Sequence, residues 1–166
     1  MSQDPTSKPP SATVTDPMWA GDLATRMAHG VPQAAALGFE FVSMDGGVGV
    51  LRAPWREDLV GDPDTQVIAG GVVTSLLDHV CGLAVQAGRT HPTPTATLDL
   101  RIDYMRPAKP RSGVTARAEC YKYANTIAFV RATAYDDDPN DPVATAQAAF
   151  ALTQPIPPKP ASGGAA

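Results

Sequence analysis

The chain has 166 residues, of which 43% are hydrophobic and 18% charged, which is typical of a single domain with one buried core. Its formal net charge of −4 at pH 7 argues against a nucleic-acid-binding surface. No stretch is long and apolar enough to cross a bilayer, and no signal-peptide-like run opens the chain. We therefore expect a cytoplasmic protein with neither a nucleic-acid nor a membrane partner.

Both ends of the chain are rich in Pro, Ser, Thr, Gly and Ala. Residues 1–15 and 155–166 have almost no large apolar side chain whose burial could offset the entropy lost on ordering. The composition predicts two disordered tails around a folded domain at 16–154.

The first predicted element of that domain is a short helix. Asp16 followed by Pro17 is a helix-start signal, since Asp caps the helix and Pro suits its first position. Trp19, Leu23 and Met27 recur every fourth residue, so they would share one face of a helix that ends near residue 29.

A β-hairpin is predicted next. The apolar-rich segments 39–44 and 48–53 flank Asp45-Gly46-Gly47, a sequence typical of a tight turn. Residues 54–69 contain two prolines, a glycine and four acids, which predicts a long surface loop.

The segment 71–88 predicts the central element of the fold. Its apolar residues cover nearly the whole circumference of a helix, so this helix should be buried on most sides. Gly70-Gly71 precedes it and Gly88 ends it.

Four strands are predicted after this helix, at 95–105, 114–123, 126–135 and 143–152. The first alternates strictly, with one set of side chains on the apolar face (Ala96, Leu98, Leu100, Ile102, Tyr104) and another on the polar face (Thr97, Asp99, Arg101, Asp103). Because strands and helices do not alternate along the chain, we predict an α+β fold in which an antiparallel sheet wraps the central helix.

Two features of the helical segment could carry chemistry. Asp78 is a poor mid-helix residue, and a desolvated carboxylate is costly without a partner, so it is a candidate general base. The alternative is an exposed Asp, or one paired with an arginine. Gly70-Gly71 would let a ligand approach the free N–H groups of the helix start, which can hold a developing oxyanion. The alternative is a tight turn that only glycine allows.

The segments GGVVTSLLD at 70–78 and TLDLRIDYMRPA at 97–108 resemble hotdog-fold acyl-CoA thioesterases of the PaaI (phenylacetic acid degradation) type, over about residues 35–153. The resemblance implies a hotdog fold, in which a curved antiparallel sheet wraps a long central helix. It implies hydrolysis of an acyl-CoA or aryl-acyl-CoA thioester to a free acid and coenzyme A, with no cofactor apart from the coenzyme A of the substrate.

The resemblance also implies roles for individual residues. Asp78 would be the nucleophile or the general base, the amide of Gly70 or Gly71 would polarise the thioester carbonyl, and the Thr97 hydroxyl would help to place water. The site would lie between two chains, in a homodimer or in a homotetramer made of two dimers. The remaining candidates to contact the substrate beside the glycine pair are Ala69, Val72 and Ser75.

This sequence departs from the family in two places. Ala69 stands where members usually carry His directly before the glycine pair. An upstream Asn of the family has no clean match, and Gln66, Asp62 or Asp64 are the residues that could replace it.

Basic residues are the candidates to bind the phosphates of coenzyme A. Arg106, Lys109 and Arg111 follow the first of the four strands, with Lys122 and Arg131 behind them. The alternative is a set of ordinary solvated cations.

Two further functions stay open at this stage. The absence of the family His would suit a non-catalytic acyl-CoA-binding protein. A hotdog dehydratase would need a histidine paired with an acid, and His29, His79 and His91 are not placed for it. The histidines and the two cysteines also lack metal-ligand spacing, so no metal is predicted.

The polar face at 99–103 has two possible interpretations. It predicts either antiparallel pairing with a second copy near Arg101 or a charged edge that prevents pairing.

Overall fold

The computed structural model describes residues 30–152. The tails predicted at 1–15 and 155–166, and the helix predicted to begin at Asp16, lie outside the described residues and stay predictions.

The described elements are two helices, a 3₁₀ turn and eight strands. In chain order they are α1 Pro32–Leu37, β1 Glu40–Asp45, β2 Val48–Ala53, the 3₁₀ turn Glu57–Leu59, β3 Val60–Asp62, β4 Val67–Ile68, α2 Gly70–Ala87, β5 Thr95–Tyr104, β6 Val114–Tyr123, β7 Ile127–Tyr135 and β8 Ala144–Leu152.

Six strands form one antiparallel sheet in the order β1-β2-β6-β7-β8-β5, and α2 packs across it. The predicted hairpin, central helix and four later strands are confirmed. Apolar side chains of the strands alternate towards α2, as in β6, where every second residue from Val114 to Cys120 is buried. The core therefore lies between the concave face of the sheet and the helix.

The helix α2 has two halves with different surroundings. Every residue from Val80 to Ala87 is buried, as the continuous apolar run predicted. In the first half the buried residues lie on one side only (Val72, Val73, Leu76, Leu77), and Gly71, Thr74 and Ser75 face outward. Asp78 lies at the end of this outward stripe and is half-buried.

A β-bulge corrects the strict alternation predicted for β5. Thr97 pairs with Phe150 and Asp99 with Ala149, so Leu98 is an extra residue in the strand. Leu98 was predicted on the apolar face, but its side chain is 58% exposed, and Ala96 is exposed as well. Because an extra residue exchanges the two faces of a strand, Thr97 points to α2 instead of joining the polar face.

The segment 54–69 is not the surface loop that its composition predicted. It contains the 3₁₀ turn and the β3–β4 hairpin, and Leu59 and Ile68 are buried. Gly61 packs so closely on Ala69 that an added Cβ would come within 2.8 Å of the Ala69 Cα. Leu59 and Ile68 thus anchor this segment beside the start of α2, which the prolines and acids of the segment did not indicate.

The outer edges of the sheet are β1 and β5. On β5, Arg101 forms an exposed ion pair with Asp103 of its own strand, with 3.2 Å between Nη2 and Oδ1. Among residues 30–152, no helix combines the length and hydropathy needed to cross a membrane.

Candidate functional site

The half-buried carboxylate of Asp78 has one neighbour in the described chain that bonds to it directly. The Thr97 hydroxyl donates a hydrogen bond of 2.9 Å to Asp78 Oδ1. The bulge at Leu98 allows this contact, because it turns the Thr97 side chain towards the helix. This bond engages Oδ1 of the carboxylate.

The second part of the candidate site is the start of α2. Ala69 has an extended backbone, and its carbonyl accepts hydrogen bonds from the amides of Val72 (3.0 Å) and Val73 (3.4 Å). The N–H groups of Gly70 and Gly71 precede this first bond, so they have no acceptor within the helix. They carry the partial positive charge of the helix N-terminus.

The glycine pair is not required by the backbone or by packing within this chain. Neither glycine has a positive φ. A Cβ on Gly71 would meet no atom within 4 Å, and one on Gly70 would only touch the Tyr104 ring at 3.8 Å. A tight turn within this chain therefore does not explain the pair.

Two hydroxyl groups contact the first turn of α2. The Tyr104 hydroxyl lies 2.7 Å from the Gly70 carbonyl oxygen and 2.7 Å from Thr74 Oγ1, which is itself 3.1 Å from the same carbonyl. Ser75, the neighbouring residue on the stripe, donates to the Gly71 carbonyl at 3.0 Å. Tyr104 and Thr74 were not predicted as site residues, although both lie in the two segments that carry the family resemblance, 70–78 and 97–108.

A cavity of about 360 Å³ adjoins the helix start. Ala69, Gly70 and Tyr104 line it together with mostly apolar residues (Gly61, Val67, Ile68, Val73, Pro107, Ala108, Val143) and with Asp62 and Arg106. Val72, a predicted substrate contact, is buried on the core side of the helix instead.

The helix start and the carboxylate of one chain are too far apart to act on the same group. Asp78 follows Gly70 by eight residues, which at 1.5 Å per residue places them about 12 Å apart along the axis. A carbonyl bound at Gly70 therefore cannot meet Asp78 of the same chain.

The predicted basic cluster does not form a free cationic patch. Arg106 makes two parallel bonds, of 2.8 and 2.9 Å, to the buried carboxylate of Asp136, and its Nε lies 2.9 Å from Asp141 Oδ2. The guanidinium holds the pKa of Asp136 far below its usual range. Lys109 pairs with Asp137. Only Arg111 is left facing no acid in these contacts, and its guanidinium lies 5.9 Å from the centre of the Trp55 ring.

Arg131, Gln66 and Asp62 are also engaged by groups of this chain. Arg131 pairs with Glu119 on the outer face of the sheet. The side chain of Gln66 donates to the Pro63 carbonyl at 2.7 Å. Asp62 accepts bonds from the Thr65 hydroxyl and the Asp64 amide, which lower its pKa. The side chains of Gln66 and Asp62 therefore form hydrogen bonds within their own loop.

Other nucleophiles are poorly suited to react. Burial raises the pKa of the Cys81 thiol to about 12 and raises that of Cys120 as well, so both are neutral thiols at pH 7. The His79 ring lies 6.1 Å from that of Phe39, and His91 is exposed in a loop.

One long helix held against a curved six-stranded antiparallel sheet, with a carboxylate and a bare helix start on its open side, defines a hotdog-fold protein. The sequence model of a family described as "Thioesterase superfamily" matches residues 65–143. A protein of Halobacterium salinarum named "Putative esterase VNG_1336C" is 32% identical over 114 residues, which cover 65% of this chain and 74% of that protein.

Further similar proteins agree with this fold. The medium/long-chain acyl-CoA thioesterase YigI of Salmonella typhimurium is 29% identical over 65% of this chain and 77% of its own length. A crystal structure from Pseudomonas aeruginosa has a TM-score of 0.73 and 35% identity, covering 80% of this chain and 98% of that one. The structure of the E. coli PaaI protein, from the phenylacetic acid degradation operon, has a TM-score of 0.70 at 21% identity, covering 81% and 94%.

This chain belongs to the thioesterase superfamily. The comparisons support thioester hydrolysis as its class of reaction.

Proposed function

We propose that this protein hydrolyses an acyl-CoA or aryl-acyl-CoA thioester to a carboxylic acid and coenzyme A. The observation that carries the proposal is the half-buried Asp78 carboxylate, held on one oxygen by Thr97, on the same open stripe as a helix start whose amides are uncapped. Such amides suit the oxygen of a thioester carbonyl, on which negative charge develops.

In the proposed reaction Asp78 acts as the base. Its carboxylate takes a proton from water while the water oxygen bonds to the carbonyl carbon, and the carbonyl oxygen receives the negative charge beside Gly70 and Gly71. Collapse of this intermediate breaks the C–S bond and releases coenzyme A as a thiolate, which then takes a proton. In the covalent variant the carboxylate attacks the carbonyl carbon itself, the C–S bond breaks to release coenzyme A as a thiolate, and water hydrolyses the resulting anhydride. Thr97 holds Oδ1 in either case, so that Oδ2 reacts.

The proposed site is shared by two chains. Because Gly70 and Asp78 of one helix are about 12 Å apart, the acid must come from a second copy if both are to reach one carbonyl. The outer edge of β5, with Asp99, Arg101 and Asp103 on one face, is the proposed pairing edge, since two antiparallel copies paired about Leu100 or Ile102 would place arginines opposite acids. A homodimer is thus the smallest active form we propose.

Arg111 is the proposed contact for the phosphates of coenzyme A. It is the one member of the predicted cluster that is not held by an acid in the contacts above. The acyl group would occupy the apolar cavity beside Gly70.

The test is a panel of aryl, short-, medium- and long-chain acyl-CoA substrates, with release of the free thiol as the measurement. The name of the Salmonella relative is the reason to include the medium and long chains. We expect Asp78→Asn to lower kcat by about a hundredfold or more. Asp45→Asn, an exposed acid at the turn of the β1–β2 hairpin, is the matched control. Equal rates for Asp78→Asn and wild type would remove Asp78 from the mechanism.

A second candidate is a non-catalytic acyl-CoA-binding protein. It is favoured by Ala69, which occupies the N-cap of α2 and offers neither an imidazole nor a side-chain cap. Binding by the wild-type chain without release of thiol from any member of the panel would support this candidate over the hydrolase.

A further inference from the structure

The Gly70 carbonyl is held by more groups than a helix needs. Inside an α-helix a carbonyl is satisfied by the amide four residues later. Here the hydroxyls of Tyr104 and Thr74 also reach it, at 2.7 and 3.1 Å, and lie 2.7 Å from each other. Two hydroxyls from different elements therefore converge on one peptide group of the helix start.

Stability of the core does not explain this arrangement. The Tyr104 side chain is 51% exposed, and Thr74 is exposed as well, so neither anchors the hydrophobic core. An exposed tyrosine at the end of β5 could point to solvent without loss of packing. Tyr104 instead lines the cavity beside Gly70.

The held carbonyl is covalently linked to both candidate amides. The Gly70 carbonyl shares its residue with the Gly70 N–H, and it shares a rigid, planar peptide unit with the Gly71 N–H. Fixing the carbonyl therefore fixes the direction of the Gly71 N–H directly, and it restricts the Gly70 N–H, which is two single bonds away, less tightly. Hydrogen bonds accepted by a carbonyl also polarise its peptide unit, which makes the N–H of the same unit a stronger donor.

We propose that Tyr104, assisted by Thr74, is a positioning residue that aims the helix-start amides at the carbonyl oxygen of the substrate. The inference rests on the proposed thioester hydrolysis. Tyr104 acts through the Gly70–Gly71 peptide and does not touch the reacting atoms. Glycine at both positions leaves this peptide unsupported by side chains of its own, so the hydroxyls supply the rigidity that an oxyanion site needs.

The test compares variants that remove one hydroxyl at a time. We expect Tyr104→Phe to lower kcat about threefold to tenfold with KM unchanged, because one net hydrogen bond is lost in the transition state. Thr74→Val should have a smaller effect in the same direction, and Thr74→Ser, which keeps the hydroxyl, should restore the wild-type rate. Tyr121→Phe is the matched control, since Tyr121 is also 51% exposed but lies against Phe129 on the outer face of the sheet.

A binding measurement separates positioning from general loosening of the site. A thioether analogue of the best substrate has no carbonyl, so its affinity should be the same for wild type and Tyr104→Phe. A weaker affinity for the thioether, or a raised KM, would overturn the inference, since the role would then be structural. A wild-type kcat for Tyr104→Phe would also overturn it while leaving the hydrolase proposal intact. If wild type turns over no member of the substrate panel, the proposed function fails and the inference fails with it.

Discussion

At the scale of single residues, the pair of Asp78 and Thr97 is the centre of the proposed site. A carboxylate has several acceptor positions, and a donor on one oxygen fixes the orientation of the other. The 2.9 Å bond from Thr97 holds Oδ1 of Asp78, and Oδ2 is the oxygen proposed to react. This is the arrangement that a base acting on a positioned water requires.

The Thr97 hydroxyl should therefore matter for rate more than for stability. We expect Thr97→Val, which keeps the shape of the side chain, to lower kcat about tenfold, because a hydrogen bond to a charged acceptor is lost. Thr97→Ser should retain most of the rate. Steady-state kinetics on the best acyl-CoA substrate is the measurement, with melting temperature as the control for folding. Wild-type kcat in Thr97→Val would show that the bond to Asp78 is not used in the reaction.

At the scale of elements, the start of α2 can be changed without breaking the helix. Ala69 has φ −64° and ψ 139°, the conformation that a residue before proline prefers, and proline is well accepted at the first helical position. Gly70→Pro thus removes a single N–H donor. We predict a loss of kcat of about a hundredfold, as for other lost oxyanion donors, because Gly70 is the glycine that lines the cavity.

Gly70→Ala is the control for this change, because a Cβ at this position only makes ordinary contact with Tyr104. It should keep the amide and most of the rate. Circular dichroism should show the same helix content in both variants. A fully active Gly70→Pro enzyme would assign the donor to Gly71 alone.

The ion pair between Arg106 and Asp136 is a clamp that joins the loop after β5 to the turn between β7 and β8. Arg106 lowers the pKa of the buried Asp136 carboxyl, so the clamp stabilises the folded state above the unfolded pKa of 3.8, and this contribution is lost progressively as the pH falls below it. Asp136→Asn should lower the melting temperature at pH 7 by several degrees.

The difference in melting temperature between wild type and Asp136→Asn should also shrink below pH 4, and thermal melts from pH 2 to pH 7 would measure it. Asp138→Asn, an exposed acid in the same turn, is the control. A difference that does not change with pH would mean that the charge of Asp136 does not stabilise the fold.

At the scale of the whole molecule, the spacing along α2 makes a prediction about mixed assemblies. If each site takes Gly70 from one chain and Asp78 from the other, Asp78→Asn and Gly70→Pro chains should each be nearly inactive alone. Co-expressed in equal amounts, they should recover about a quarter of the wild-type rate, since half of the dimers are mixed and each mixed dimer has one intact site. No recovery in dimers shown to be mixed by mass would place both groups of a site in one chain.

Much of the fold could be predicted from the sequence because periodicity reports which face of an element is buried. The central helix, the hairpin and the four later strands were all predicted. Asp78 stood out as unsuited to the interior of an apolar helix, and Gly70-Gly71 as a pair at its start. The segment 54–69 was predicted wrongly, because the burial of Leu59 and Ile68 depends on a docking surface distant in sequence.

What the sequence determined by itself was the α+β order of elements, the buried central helix and the candidate acid and glycines on it. Only the tertiary structure decided which side chains meet them. A single bulged residue, Leu98, turns Thr97 towards Asp78, and acids 28 or more residues later in the chain neutralise Arg106 and Lys109. Local patterns specify elements one at a time, whereas register shifts and long-range ion pairs exist only once the strands have packed.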